Sequence, residues 1–204
     1  MVSPWLVCFY VGQVCCAASF RTTCRAKICQ ALSLTYNLSL FYNRAMDQQS
    51  EHTLARLIRE TRVAALGTLH DGEPNLAMVA YAFAGDFSAF YIHVSKLGKH
   101  TVDLENDPRV SLLISETDDH RADPQTLARV SIRGTAEILP RTALSYAQIK
   151  RIYLERFPEA EQLFSLGDFN IWKITPKGGR FVAGFGRAFN LVPEALKKVS
   201  TLYR

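Results

Sequence analysis

Three pairs of turn residues, Asp71-Gly72, Gly85-Asp86 and Gly178-Gly179, stand between short runs of branched, alanine and aromatic residues. Asp-Gly and Gly-Gly steps accept the positive φ values that tight hairpins need. Runs joined so closely must lie antiparallel, because a parallel crossover needs a dozen or more residues. The spacing predicts strands over Thr61–Leu69, Pro74–Phe83, Ala89–Val94, Arg109–Ser115, Leu127–Leu139, Asn170–Thr175 and Arg180–Phe185, with Gly134 marking a bend or bulge in the fifth. Helical periodicity is confined to three places. Ser50 caps a run carrying Leu54, Leu57 and Ile58; Leu97–Glu105 is a short helix stopped by Pro108; Arg141–Arg156 ends at Phe157-Pro158. Glu116–Pro124 reads as a polar loop. The pattern is that of a mainly β chain: a six- to seven-stranded antiparallel barrel with few helices.

Charge is unevenly placed. Residues 1–46 hold Arg21, Arg25, Lys27 and Arg44 and no acid, while the remainder is close to neutral. The main body therefore lacks the basic excess of a general nucleic-acid surface. All five cysteines (Cys8, Cys15, Cys16, Cys24, Cys29) lie in the same first segment with no CxxC spacing. A zinc or redox motif has no support, and a disulfide framework for the main body is excluded, in keeping with a reducing, cytoplasmic compartment. Residues 4–20 are apolar but short for a membrane span, and the positive charges follow them instead of preceding them. Residues 1–45 are expected to be a disordered or upstream extension of the reading frame, ahead of a targeting role or a packed element. Residues 46–204 are expected to form the domain.

The stretch HVSKLGKHTVDLENDPRV (93–110) carries the clearest chemistry. An aromatic strand stops at Ser95, and Lys96, Lys99, His100 and Thr101 follow where a helix begins. A helix N-terminus offers unpaired N–H groups and the positive end of a dipole, so phosphates bind there. Side-chain cations and a hydroxyl add charge-assisted bonds. The alternative is a plain Ser95 cap with solvated lysines.

The succession VAALGTLHDGEPNLAMV, FYIHVSKLGKHTVDLENDPRVSLLI and RVSIRGTAEIL resembles the pyridoxamine 5′-phosphate oxidase-like, FMN-binding split-barrel family over roughly residues 50–190. The tail RFVAGFGRAF is most similar to its haem-iron utilisation branch. The resemblance implies a split β-barrel homodimer with FMN, or a deazaflavin in its place, in a groove between the subunits. It implies phosphate contacts from Lys99, His100 and Thr101, with Ser95 beside them. Backbone groups at Met78, Val79 and Ala80 would run along the flavin ring, and Ile92, His93 and Val94 would line it. Arg129 falls where the family often has a glutamine facing the ring; alternatively it pairs with a surface acid. Phe185 and Arg187 would reach the cofactor edge from the last strand, or Phe185 would be a core residue on a glycine-softened edge.

Two departures narrow the activity. The Arg-Leu-His-Asp-Arg stretch of true pyridoxamine phosphate oxidases is replaced by GFGRAF (184–189), so that reaction is not expected. The chain has no histidine after Arg187, which removes the haem ligand that haem-degrading members place in that segment. No histidine pair shows metal-ligand spacing; His70 and His120 read as solvated, and no general acid or base stands out. The expectation is an FMN-dependent oxidoreductase acting on a small molecule. Haem utilisation and a non-catalytic flavin-binding or regulatory module are the alternatives.

Overall fold

The computed structural model describes residues 45–202, so the expectations for residues 1–44 fall outside it. Among the described residues four α-helices and eight strands follow in order: α1 (Gln48–Glu60), β1 (Val63–His70), β2 (Glu73–Ala80), β3 (Ala82–Phe83), β4 (Phe90–Ser95), α2 (Lys99–Asn106), β5 (Arg109–Ser115), β6 (Arg129–Ile138), α3 (Tyr146–Arg156), β7 (Phe169–Val182), β8 (Ala188–Leu191) and α4 (Pro193–Ser200). Short 3₁₀ turns occupy Pro124–Thr126 and Pro158–Ser165. The strands form one antiparallel sheet in the order β2-β1-β5-β6-β7-β4-β3, with β8 on β7. β2 and β3 are the two ends of that order, yet only Tyr81 separates them in the chain. The sheet must therefore curl until its ends meet, which makes a half-barrel.

The β1–β2 hairpin forms as its turn residues dictate, with φ of 51° at Asp71 and 84° at Gly72. Alternation along β1 sends Ala64, Leu66 and Thr68 inward. They join Leu112, Ile114, Val130, Ile132, Ile174 and Phe181 in the barrel core, onto which Leu54 and Ile58 of α1 and Leu196 and Val199 of α4 pack. Each such aliphatic side chain contributes about 1.5–3 kcal/mol on burial. A second cluster lies on the other face of β3, β4 and β7, where Tyr91 and Ile171 meet Ile149 and Tyr153 of α3 and Phe164.

Several sequence expectations are corrected. Eight strands replace six or seven. Asp47, not Ser50, caps α1: its carboxylate accepts the Ser50 N–H at 2.9 Å. The second predicted strand breaks at Tyr81, where the chain changes sheet edge. The two later helices start further on, at Lys99 and Tyr146.

Gly178-Gly179 is not a turn. β7 runs through it to Val182, and the real hairpin is Ala183–Arg187, closed by Ala183 N–H to the Arg187 carbonyl at 2.8 Å. The glycines serve close approach instead. A Cβ on Gly179 would overlap the carbonyl oxygen of Ser131 on β6. The β6–β7 register shifts between Arg133 and Gly134, at the bulge that Gly134 predicted. β8 and α4 lie in residues that the sequence reading left unassigned. Among the described residues no helix is long and apolar enough to cross a membrane.

Candidate functional site

Strand alternation sorts the convex face of the sheet. Pro74, Leu76, Met78 and Ala80 of β2 stand opposite Leu69, Gly67, Ala65 and Val63 of β1. Ala65 faces Leu113 of β5, which faces Ser131 of β6. Leu76 and Met78 are 75% and 76% exposed, and Val63 and Leu113 are exposed beside them. Large contiguous apolar patches of this kind mark binding surfaces. The same face turns basic along β6 and β7, where Arg129, Arg133 and Arg180 share it. Between its apolar and basic parts lies a cleft of about 580 Å³ whose walls include Gly67, Leu69, Arg109, Ser111, Arg133 and Lys177.

The second location is the β4–α2 junction. Gly98 is the N-cap of α2 and supplies no side-chain hydrogen bond. The first-turn N–H groups of Lys99 and His100 thus have no helical acceptor. Lys96 and Lys99 are exposed next to them. Thr101 is buried and donates its hydroxyl to the Ser95 carbonyl at 2.6 Å. Ser95 does not cap α2. Its hydroxyl donates to Asp168 at 2.6 Å and accepts the Leu97 N–H at 3.1 Å. Asp168 also accepts the Lys96 N–H through its carbonyl, so it fixes this loop against the start of β7. The His100 ring folds over Gly98 with Nε2 buried and without a partner among the described residues, and desolvation lowers its pKa against the opposing charge of Asp103.

The remaining predicted residues are dispersed. Ile92 and Val94 point into the barrel core, and Val79 is buried while Met78 is exposed. His93 points the other way, into the second cluster. Its ring stacks on Phe164 at 3.8 Å with edge contact to Tyr153, and both ring nitrogens are buried without partners among the described residues. Desolvation, with Arg141 and Lys150 nearby, pushes its pKa down to about 4. Among the described residues Arg129 pairs with no acid; it donates to the carbonyls of Gln125 and Leu127. Phe185 stands 80% exposed at the β7–β8 hairpin tip, between Gly184 and Gly186 at φ of 137° and 70°, so it is not a core residue. Arg187 is held by both carboxylate oxygens of Asp47 at 2.8 and 3.0 Å and by the Ser50 hydroxyl.

One cluster escaped the sequence reading. The buried Asp103 carboxylate on α2 accepts from Thr68, His70 Nδ1 and Asn75, each at 2.7 Å. It clamps α2 to both strands of the first hairpin. Burial alone would raise its pKa, but the three donors outweigh burial and lower it. His70 is thereby oriented instead of freely solvated, with Nε2 turned outward near Asp71 at 3.8 Å. Helical position 103 and strand positions 68, 70 and 75 become neighbours only through the fold. Among the described residues no group of three or more His, Cys, Asp or Glu is arranged to hold a metal ion.

Comparison with known proteins agrees with this architecture. The Vibrio cholerae protein named heme oxygenase HutZ is 28% identical over 141 residues, covering 68% of this chain and 78% of that one. The Arabidopsis thaliana protein named non-canonical heme oxygenase HOZ, chloroplastic, is 31% identical over 154 residues, covering 70% of this chain and 46% of that one. A solved heme binding protein from Mycobacterium smegmatis superposes with a TM-score of 0.66 at 26% identity, over 76% of this chain and 62% of that one. The pyridoxamine 5′-phosphate oxidase family is matched over residues 50–183, and the chain belongs to it.

Proposed function

We propose that this chain handles haem, binding it on the convex face of the half-barrel and supporting its oxidative breakdown. The observation that carries the reading is the composition of that face. An exposed apolar surface from Val63, Leu76, Met78 and Leu113 runs into Arg129, Arg133 and Arg180. Haem is a flat apolar ring with two carboxylates at one edge and matches both parts. The names of the two curated relatives support the same class. The residues fit the macrocycle and its carboxylates better than its iron, because among the described residues no histidine lines the cleft. When bound, haem supplies the oxygen chemistry; the chain's own residues hold the ring, neutralise its carboxylates and exclude water. The apolar face is covered by a second copy, giving a homodimer, and the cysteine-free main body suits a reducing cytoplasm. Hemin added to the purified full-length chain should give a red-shifted Soret band that saturates at one equivalent. A spectrum that remains that of free hemin refutes the reading.

FMN-dependent oxidation of a small molecule is the second reading, favoured by the open first turn of α2 beside Lys96 and Lys99. In it Lys99 and His100 hold the phosphate and Arg129 approaches the ring. A yellow protein that releases FMN on heating would select it over haem. Lys99→Ala should then weaken FMN binding by about 1–3 kcal/mol, the loss of one bond to a charged group. A chain that takes up neither FMN nor hemin would be a non-catalytic module.

A further inference from the structure

We propose that Arg133 and Lys177 are the residues that recognise the carboxylate edge of the tetrapyrrole, in the cleft between β1, β5 and β6. The inference rests on the haem reading and names the subsite within it. Three observations converge. The cleft measures about 580 Å³, within the ~300–1,000 Å³ span of small-molecule sites. Gly67 of β1 lies beside Ser111 of β5 in its floor and raises no side chain into it. Among the described residues its rim carries Arg109, Arg133 and Lys177 and no acidic residue.

The three cations differ in what they have left to give. Arg109 is forked onto Asp107, which neutralises it and fixes its position. Arg133 and Lys177 are exposed and have no hydrogen-bonding or ionic partner among the described residues. Both are set by the same irregularity. The register shift between Arg133 and Gly134 leaves Gly178 opposite Arg133 and Pro176 opposite Gly134, so Lys177 is the extra residue at that point. A bulge re-aims side chains. Here it brings a strand arginine and a bulged lysine to one mouth of the cleft. A guanidinium grips a carboxylate through two parallel bonds, and an ammonium offers a mobile point charge. A dicarboxylate ring edge can engage both.

The test is a Soret titration of the full-length wild type, Arg133→Ala, Lys177→Ala and the double variant, with hemin and with hemin dimethyl ester. Both side chains are exposed and unpartnered, so the variants should fold; circular dichroism and thermal unfolding check this. The expected result is a 10- to 100-fold rise in the hemin Kd for the double variant, with the ester bound weakly and equally by all four proteins. Unchanged hemin affinity in the double variant overturns the subsite and leaves the haem reading standing. Wild type binding the ester as tightly as hemin overturns carboxylate recognition in the same way. Wild type showing no Soret shift overturns the haem reading and this inference together.

Discussion

Replacing His93 with phenylalanine should remove much of the acid sensitivity of the fold. The wild-type imidazole is buried, stacks on Phe164 and finds no hydrogen-bond partner for either nitrogen among the described residues. Its pKa is lowered from 6.5 to about 4, by desolvation first and then by Arg141 and Lys150. The unfolded chain thus binds a proton there before the folded one does. The site's contribution to stability is intact above pH 6.5 and declines as pH falls towards 4, after which nothing further is lost. At 1.36 kcal/mol per pH unit the full loss is about 3 kcal/mol, and about 2 kcal/mol is gone by pH 5. Phenylalanine keeps the stack and carries no titrating group. Its overpacking cost, of order 1 kcal/mol, is the same at every pH. Urea unfolding followed by Trp172 fluorescence at pH 7.5, 6.5, 5.5 and 5.0 measures the difference. The gap between the two proteins should narrow or invert by about 2 kcal/mol between pH 6.5 and 5. Parallel stability profiles would refute the burial argument, since every other titrating group is shared by the two proteins.

Thr68→Val removes one of the three donors to Asp103 and should cost roughly 1.5–3 kcal/mol, read as a drop in the urea midpoint. Because the Asp103 pKa is lowered, its stabilisation is present above the ordinary carboxylate range and lost as pH falls through the folded value; Thr68→Val should shift that acid limb upward in pH. Gly179→Ala drives a methyl into the Ser131 carbonyl and should destabilise by at least 1–3 kcal/mol, whereas Gly85→Ala, with open space around it, should not; thermal unfolding of the pair separates steric contact from general glycine loss. Asp47→Ala removes the α1 cap and the anchor of Arg187, and should lower the thermal midpoint and raise proteolytic cleavage near Phe185. Met78→Lys should leave the fold intact and give a monomer by light scattering, if the β1–β2 face is where a second copy sits.

Local signals carried the strands well where each strand and its turn lay side by side in the chain. Asp71-Gly72 marks the first hairpin, and the strand expected after Pro108, Arg109–Ser115, has the bounds of β5. The reading failed where glycine does two different things. Gly178-Gly179 has the chemistry of a turn but is there because β6 passes so close, which only the assembled sheet shows. The same limit applied to the site. Lys99 and His100 announced a helix start, yet that Thr101 is spent on Ser95 and that His93 faces away from the barrel depends on which sheet face each residue takes. Nothing in the sequence singles out Asp103; its three donors come from two strands some thirty residues earlier.

The single residue between β2 and β3 has a consequence for the order of folding. β4 must find β7 about eighty residues downstream, as Ile92 opposite Trp172 illustrates. Such distant pairings close slowly, because chain entropy is lost before contacts form. Tyr81 joins the two edges of the sheet and is anchored by its hydroxyl to the Ile58 carbonyl, near the end of the first helix. The earliest local unit of the chain, α1 with the first hairpin, therefore already holds one lip of the seam. Closure becomes a search by the far edge alone, and a chain cut at Tyr81 would have to search with both.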